Sequence, residues 1–246
     1  MSWCDKLASR PTVGLIFNKH FRPSTTLIEK LAPVLDGLAG NISDQFSIAK
    51  QDTFLVALTT ETGFHYTVDA SRVAVEFQHR MKLKPVSADV PTVEMLSRAE
   101  PYTTMLQEVG NRALAAAALL IDGNRTLERI GVVSSTVVSE EDAPPGLLRY
   151  IDHCRKPWAD HAANYNFQVV AIVDEQEQWD DKCILLFAKP ESDDEELLTI
   201  TFDYQRKFKE KKHFKGDVSS LKPILTSVQE DALSYFESLA IGDMFE

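Results

Sequence analysis

The sequence has few cysteines and few glycines, and each shortage argues against a class of site. Its 246 residues include only 3 Cys, widely spaced and without a CxxC pair, so neither a disulfide framework nor a zinc cluster is indicated. With 10 Gly, it contains no GxxxxGK[ST] or GxGxxG phosphate-binding loop, and HExxH and GxSxG are also absent. We therefore expect that the protein binds no cofactor. We also expect that it is not a P-loop NTPase, a dinucleotide-binding enzyme, a zinc protease or a serine hydrolase of the common classes.

Long hydrophobic runs are missing as well. No apolar run reaches the roughly 18 residues that a membrane-spanning helix needs, and the N-terminus lacks a basic stretch followed by an apolar one. The apolar fraction of 44% and the charged fraction of 26% are ordinary for a globular protein. These features predict no membrane partner, and the few, widely spaced cysteines predict a cytoplasmic protein.

Positive charge is scarce overall but concentrated in one segment. The net charge of −11 disfavours non-specific binding to a phosphate backbone. Residues 206–215, the basic segment, nevertheless carry six basic side chains and one acidic one. Such a run is typical of a solvated hairpin face, but it is also a candidate docking site for an acidic partner or nucleic acid. The candidate binding residues are Arg206, Lys207, Lys209, Lys211, Lys212 and Lys215.

Strand-like segments occur in both halves of the chain. Residues 12–17 form a short apolar and β-branched run, and residues 64–69 and 72–80 alternate apolar with polar side chains. A period of two predicts antiparallel strands with one buried face. Further strands are predicted at residues 46–49, 53–59, 127–138, 167–173, 182–188 and 197–208.

Helical spacing of apolar residues predicts four helices. They cover residues 25–40, about 92–122, 143–154, and a last stretch that follows Asp217. Pro101 lies inside the second stretch, so it either kinks that helix or marks its true start.

The order of these segments indicates an internal duplication. Gly14 and Gly131 sit in similar β-branched runs, and residues 72–80 recur as residues 198–206. Each half reads β-α-β-β-β-(β)-α, with a first half at 1–124 and a second at 125–246. We expect an α+β fold: one pseudo-symmetric unit with a curved antiparallel sheet and helices on one face. Unpaired sheet edges also suggest a homodimer.

Two resemblances follow from these residues. The element order is similar to the duplicated saddle of the TATA-box-binding-protein superfamily, which implies the fold and no more. Four segments of the second half resemble a sporadically distributed bacterial family of uncharacterised proteins; they are residues 127–131, 148–151, 199–203 and 236–237. That resemblance implies no catalytic residue.

Three groups of side chains are candidates for chemistry. His65 and His79 could form a metal or acid–base pair on neighbouring strands. Asp174 and Asp181 loosely follow the order of a metal-dependent nuclease, although a polar hairpin tip accounts for them too. Aromatic residues could build a stacking platform for bases, or pack in the core; they are Trp158, Tyr165, Phe167 and Trp179.

Three functional hypotheses remain. The first is a non-catalytic binding or assembly protein, an accessory subunit of a bacterial multi-component system. The second is nucleic-acid binding through the sheet face or the basic segment. The third is a metal-dependent hydrolase or nuclease. The missing catalytic motifs and the acidic balance favour the first, with a protein partner or a second copy of the chain.

Overall fold

The computed structural model describes residues 4, 11–18, 42–51, 53–60, 62–69, 71–79, 81–84, 92–95, 100–120, 125–156, 164–189, 197–214 and 218–241. These form an α+β protein, as the alternating and helical patterns predict. Within the described ranges, no helix is long and apolar enough to cross a membrane.

A nine-stranded antiparallel sheet dominates the structure, in the order β2-β3-β4-β5-β1-β8-β11-β10-β9. The strands from the first half of the chain are β1 (Thr12–Phe17), β2 (Ile42–Gln51), β3 (Thr53–Thr60), β4 (Phe64–Val68) and β5 (Arg72–Phe77). Those from the second half are β8 (Arg125–Ser139), β9 (Tyr165–Glu175), β10 (Trp179–Lys189) and β11 (Leu197–Phe214). A separate hairpin joins β6 (Met81–Lys84) to β7 (Thr92–Met95).

In the part of the chain that the structure describes, three helices pack on one face of this sheet: α1 (Tyr102–Leu120), α2 (Pro145–Arg155) and α3 (Lys222–Ile241). Arg112 of α1 lies over the ring of Phe64, Tyr150 of α2 contacts Phe187, and Phe236 of α3 contacts Phe202. All three sheet residues alternate with exposed or half-buried neighbours and belong to the buried core. We call the opposite side, which carries Gly14 and Gly131, the open face.

The two halves of the chain meet at β1 and β8. Gly14 lies directly opposite Gly131 in this antiparallel pair. On either side, each of these strands pairs with the last sheet strand of its own half: β1 with β5, and β8 with β11. The predicted halves, 1–124 and 125–246, therefore share one continuous sheet.

One predicted helix is shorter in the structure. Residues 92–122 were expected to be helical, but Thr92–Met95 is a strand and α1 begins at Tyr102, directly after Pro101. Proline lacks a backbone N–H and is best tolerated at or before the first turn, so it marks the helix start here. The predicted helix over residues 25–40 lies outside the described residues.

The predicted recurrence of residues 72–80 as 198–206 also needs correction. That alignment matches Val73, which is buried, with Thr199, which is half-buried on the open face. In the strand ladders, Ala74 pairs with Gly14 and Gln205 pairs with Gly131, so the two stretches as aligned do not occupy matching positions.

Candidate binding surface

Arg206, the first residue of the basic segment, is inside the protein. Its Nε donates to Asp181 Oδ1 at 2.7 Å, its Nη2 donates to Asp231 Oδ2 at 2.8 Å, and its Nη1 donates to Ser227 Oγ at 3.2 Å. Burial lowers the pKa of Arg206, but the hydrogen bonds and negative charge of Asp181 and Asp231 outweigh it and leave the pKa raised. This guanidinium fastens α3 to the sheet and is not presented to a partner.

Lys207 and Lys209 are exposed on the open face, because alternate residues of a strand point to opposite sides. Lys209 Nζ lies 2.7 Å from Asp180 Oδ1 and 3.5 Å from Glu175 Oε1, so acidic neighbours balance its charge. Lys207 stands opposite Arg129 in the ladder. Lys211 and Lys212 lie in β11, with their side chains outside the description, and Lys215 is outside the described residues.

The acidic residues of the nuclease hypothesis are held by other side chains. Asp181 is buried, and besides the Arg206 bonds its Oδ2 accepts from Tyr204 Oη at 2.6 Å. Asp174 accepts from Gln176 Nε2 at 2.8 Å. Among the described residues, no three His, Cys, Asp or Glu side chains are grouped as a metal site requires.

His65 and His79 do not stand opposite each other in the β4–β5 ladder. His65 stands opposite Glu76, and its Nδ1 lies 2.8 Å from Thr59 Oγ1. His79 follows the end of β5, and its ring packs edge-on against Phe77. The structure therefore gives these histidines separate neighbours.

The described members of the aromatic platform contact the core or each other. Tyr165 is buried and stacks at a tilt on Phe167, with centroids 5.4 Å apart. The ring of Trp179 lies 4.7 Å below the Arg206 guanidinium, and Trp158 falls outside the description. On β1, β8, β9 and β10, the described open-face positions carry no Phe, Tyr or Trp. A stacking surface for bases is therefore not present on these strands.

Exposed apolar side chains instead mark one edge of the sheet. β9 is the last strand, and its Val170 and Ile172 are 52% and 69% exposed on the open face. They stand opposite Ile184 and Lys182 of β10. The sequence predicted the β9–β10 pair, but not that β9 lies at an edge. The available signal was residues 165–173, which contain no Asp, Glu, Lys, Arg, Gly or Pro.

A carboxylate with a raised pKa also lies on the open face. Burial raises the pKa of Asp203, while the hydrogen bond from Gln205 and the charges of Arg129 and Lys182 lower it only in part. Its Oδ2 accepts from Gln205 Nε2, whereas its buried Oδ1 has no hydrogen-bond partner among the described residues.

We expect Asp203→Asn to stabilise the protein at neutral pH. A carboxyl group whose folded-state pKa is raised opposes folding once pH rises above its unfolded value, near 4. The amide removes that cost and can still accept from Gln205. Thermal unfolding at pH 7 should show a higher melting temperature for the variant, and the advantage should shrink toward pH 4. A lower melting temperature at pH 7 would mean that the negative charge is needed there.

No protein-family model and no curated protein sequence matches this chain.

Proposed function

We propose that this chain is a non-catalytic binding and assembly protein, an accessory subunit of a multi-component system, that binds a protein strand along β9. The observation that carries the proposal is the edge position of β9 together with the exposure of Val170 and Ile172. An edge strand presents a row of N–H and C=O groups that can pair with another strand, and its side chains then select the partner.

Charged residues are distributed differently along the two edge strands, which supports this choice. β2, at the other edge, contains Asp44 and Lys50, and its register against β3 shifts between Ile42 and Phe46. In β9 the charged residues Asp174 and Glu175, and the register shift against β10, all lie at the C-terminal end. Charges and irregularities of this kind protect edges from unwanted pairing. The run over residues 165–173 of β9 has no charge to oppose a partner.

We also propose that the molecule arose by internal duplication and forms a curved, pseudo-symmetric sheet. Two observations support a two-fold relation between the halves. Gly14 of β1 pairs with Gly131 of β8, and the outer neighbour of each of these strands is the last sheet strand of the same half, β5 or β11. Cys154 and Cys183 are not joined in a disulfide, which fits a reducing compartment, so a cytoplasmic location is part of the proposal.

The test compares tagged wild-type protein, an edge variant and a control in pull-downs from the native host. The edge variant is Val170→Lys with Ile172→Lys. The control is Val137→Lys, because Val137 is 56% exposed on the open face of β8, an interior strand. We expect a stoichiometric protein partner that is retained by wild type and control and lost by the edge variant, with or without nuclease. A partner retained equally by all three proteins would contradict the proposal.

Nuclease treatment addresses the second candidate, nucleic-acid binding. Lys207, Lys182 and Arg129 lie on the open face of neighbouring strands and outnumber Asp180 and Asp203 beside them, which favours a basic contact there. If nucleic acid were recovered and protein partners disappeared after nuclease, this alternative would replace the assembly proposal. Lys207→Glu should then weaken binding and reduce its salt dependence.

A further inference from the structure

We infer that the strand bound along β9 is β9 of a second copy of this chain, paired antiparallel about a two-fold axis perpendicular to the sheet. The inference rests on the proposed function and names its partner. It predicts a homodimer in which two nine-stranded sheets join into one, with helices on one side and open faces on the other.

The charges at the two ends of β9 favour an antiparallel arrangement. Asp174 and Glu175, with Asp180 beside them on β10, make its C-terminal end acidic, because Lys209 is the one cation that contacts Glu175 and Asp180 among the described residues. At the other end, Tyr165 pairs with Lys189, and the surrounding charges balance: Lys189 and Arg155 contact Glu140, and Arg155 also contacts Asp152. A two-fold pairing places each acidic end beside the partner's balanced end. A parallel pairing would bring the two acidic ends together, at a cost in free energy.

As far as the described residues show, the uncovered part of the edge includes both exposed apolar residues, Val170 and Ile172. Near the C-terminal end, Tyr235 Oη donates to the carbonyl oxygen of Val173 at 3.4 Å, so α3 already occupies that position. The remaining length, residues 166–172, has its midpoint at Val169. Antiparallel partners across a two-fold axis keep their side chains on the same face. Val170 is then close to the axis, opposite Gln168 of the second copy, and Ile172 lies further out, opposite Asn166 of the second copy.

Closure of the assembly also favours this edge. Pairing β9 with β2 of another copy would be head-to-tail and would continue into a filament. Pairing β9 with β9 uses the same edge twice and stops at two copies. The outer edges of the dimer are then both β2, whose register against β3 shifts between Ile42 and Phe46.

The first experiment measures the mass of the purified full chain in solution by light scattering and by sedimentation equilibrium over a dilution series. We expect wild type to have twice the chain mass of 27.6 kDa at high concentration. Val170→Lys should weaken dimerisation by at least about tenfold, since the two-fold axis brings the new charges near each other. Val137→Lys should dimerise as wild type, and circular dichroism should confirm that both variants are folded.

A charge-complementation experiment tests the geometry. Val170→Lys and Val170→Glu should each be monomeric alone, and an equimolar mixture should recover dimers containing one copy of each. This recovery requires the two copies of residue 170 to lie close together. Dimers that neither variant weakens, or a mixture that stays monomeric, would overturn the β9–β9 pairing.

The outcomes separate this inference from the proposed function. If wild type is monomeric at every concentration, but the edge variant still loses a captured protein partner, the second-copy inference fails and strand binding at β9 stands. If wild type is monomeric and the edge variant retains its partner, both fail.

Discussion

Asp181→Ala is expected to lower the free energy of unfolding by about 3–5 kcal/mol, because it leaves a buried guanidinium without its main counter-charge. The side chains of Asp181 and Arg206 are only 1% and 6% exposed. Arg206 holds Asp181 with two N–H donors, and Tyr204 Oη donates to the same carboxylate. Equilibrium unfolding in urea or guanidinium chloride measures the loss.

A neighbouring ion pair on the same strands provides the matched control. Lys209 and Asp180 are 2.7 Å apart on the open face, where both remain about one-third exposed. Exposed pairs contribute about 0–1 kcal/mol because water screens them, so Asp180→Ala should have a small effect. If Asp181→Ala were equally mild, water would have to enter and solvate Arg206, and its role in fastening α3 would be wrong.

The burial of Arg206 on the helix side of β11 could have been predicted from the sequence, although Arg206 lies in a run of basic residues. Phe202, Tyr204 and Phe208 occupy alternate positions and are buried, so Arg206 belongs to their face, whereas Lys207 belongs to the other. A run of charges on a strand divides between two faces, since the side-chain period is two. Treating the basic segment as one surface ignored this alternation.

The strands and helices were predicted well where one local pattern dominates. β1 agrees with the prediction residue for residue, and the alternation in residues 64–69 correctly gives its buried face. The helix prediction was wrong for Thr92–Met95, because apolar spacing over a few residues fits both a strand and a helix. The β-branched side chains of Thr92 and Val93 favour the strand.

The position of each strand in the sheet could not be obtained from the sequence. Hairpin connections predict that β9 pairs with β10, and the structure confirms it. Whether another strand covers the far side of β9 depends on long-range pairing, which leaves no local pattern. The absence of charged residues in 165–173 was the one local signal, and it does not distinguish an edge strand from a strand buried inside a sheet. The candidate binding surface therefore required the structure.

Phe236→Ala should lower the free energy of unfolding by about 3–5 kcal/mol, because it opens a cavity where α1, α3 and the sheet meet. Phe236 is 1% exposed, and its ring lies edge-on to the ring of Phe202, with the two centroids 4.0 Å apart. The centroid of the Phe236 ring is also 6.1 Å from that of Tyr102. Tyr102 is fixed in turn by a hydrogen bond between its hydroxyl and Ser134 Oγ of β8. One substitution thus weakens the contacts of α1 and α3 with the sheet.

The control for this cavity is Ile241→Ala at the end of the same helix. Ile241 is 63% exposed, so truncating it should change the free energy of unfolding by less than about 0.5 kcal/mol. At a few degrees per kcal/mol for a chain of this size, Phe236→Ala should lower the melting temperature by roughly 10 °C and Ile241→Ala by very little. Equal shifts for the two variants would contradict a core centred on Phe236. Because Phe236 lies on the helix side and Val170 on the open face, its loss should weaken the fold without removing the exposed edge of β9 from protein that remains folded.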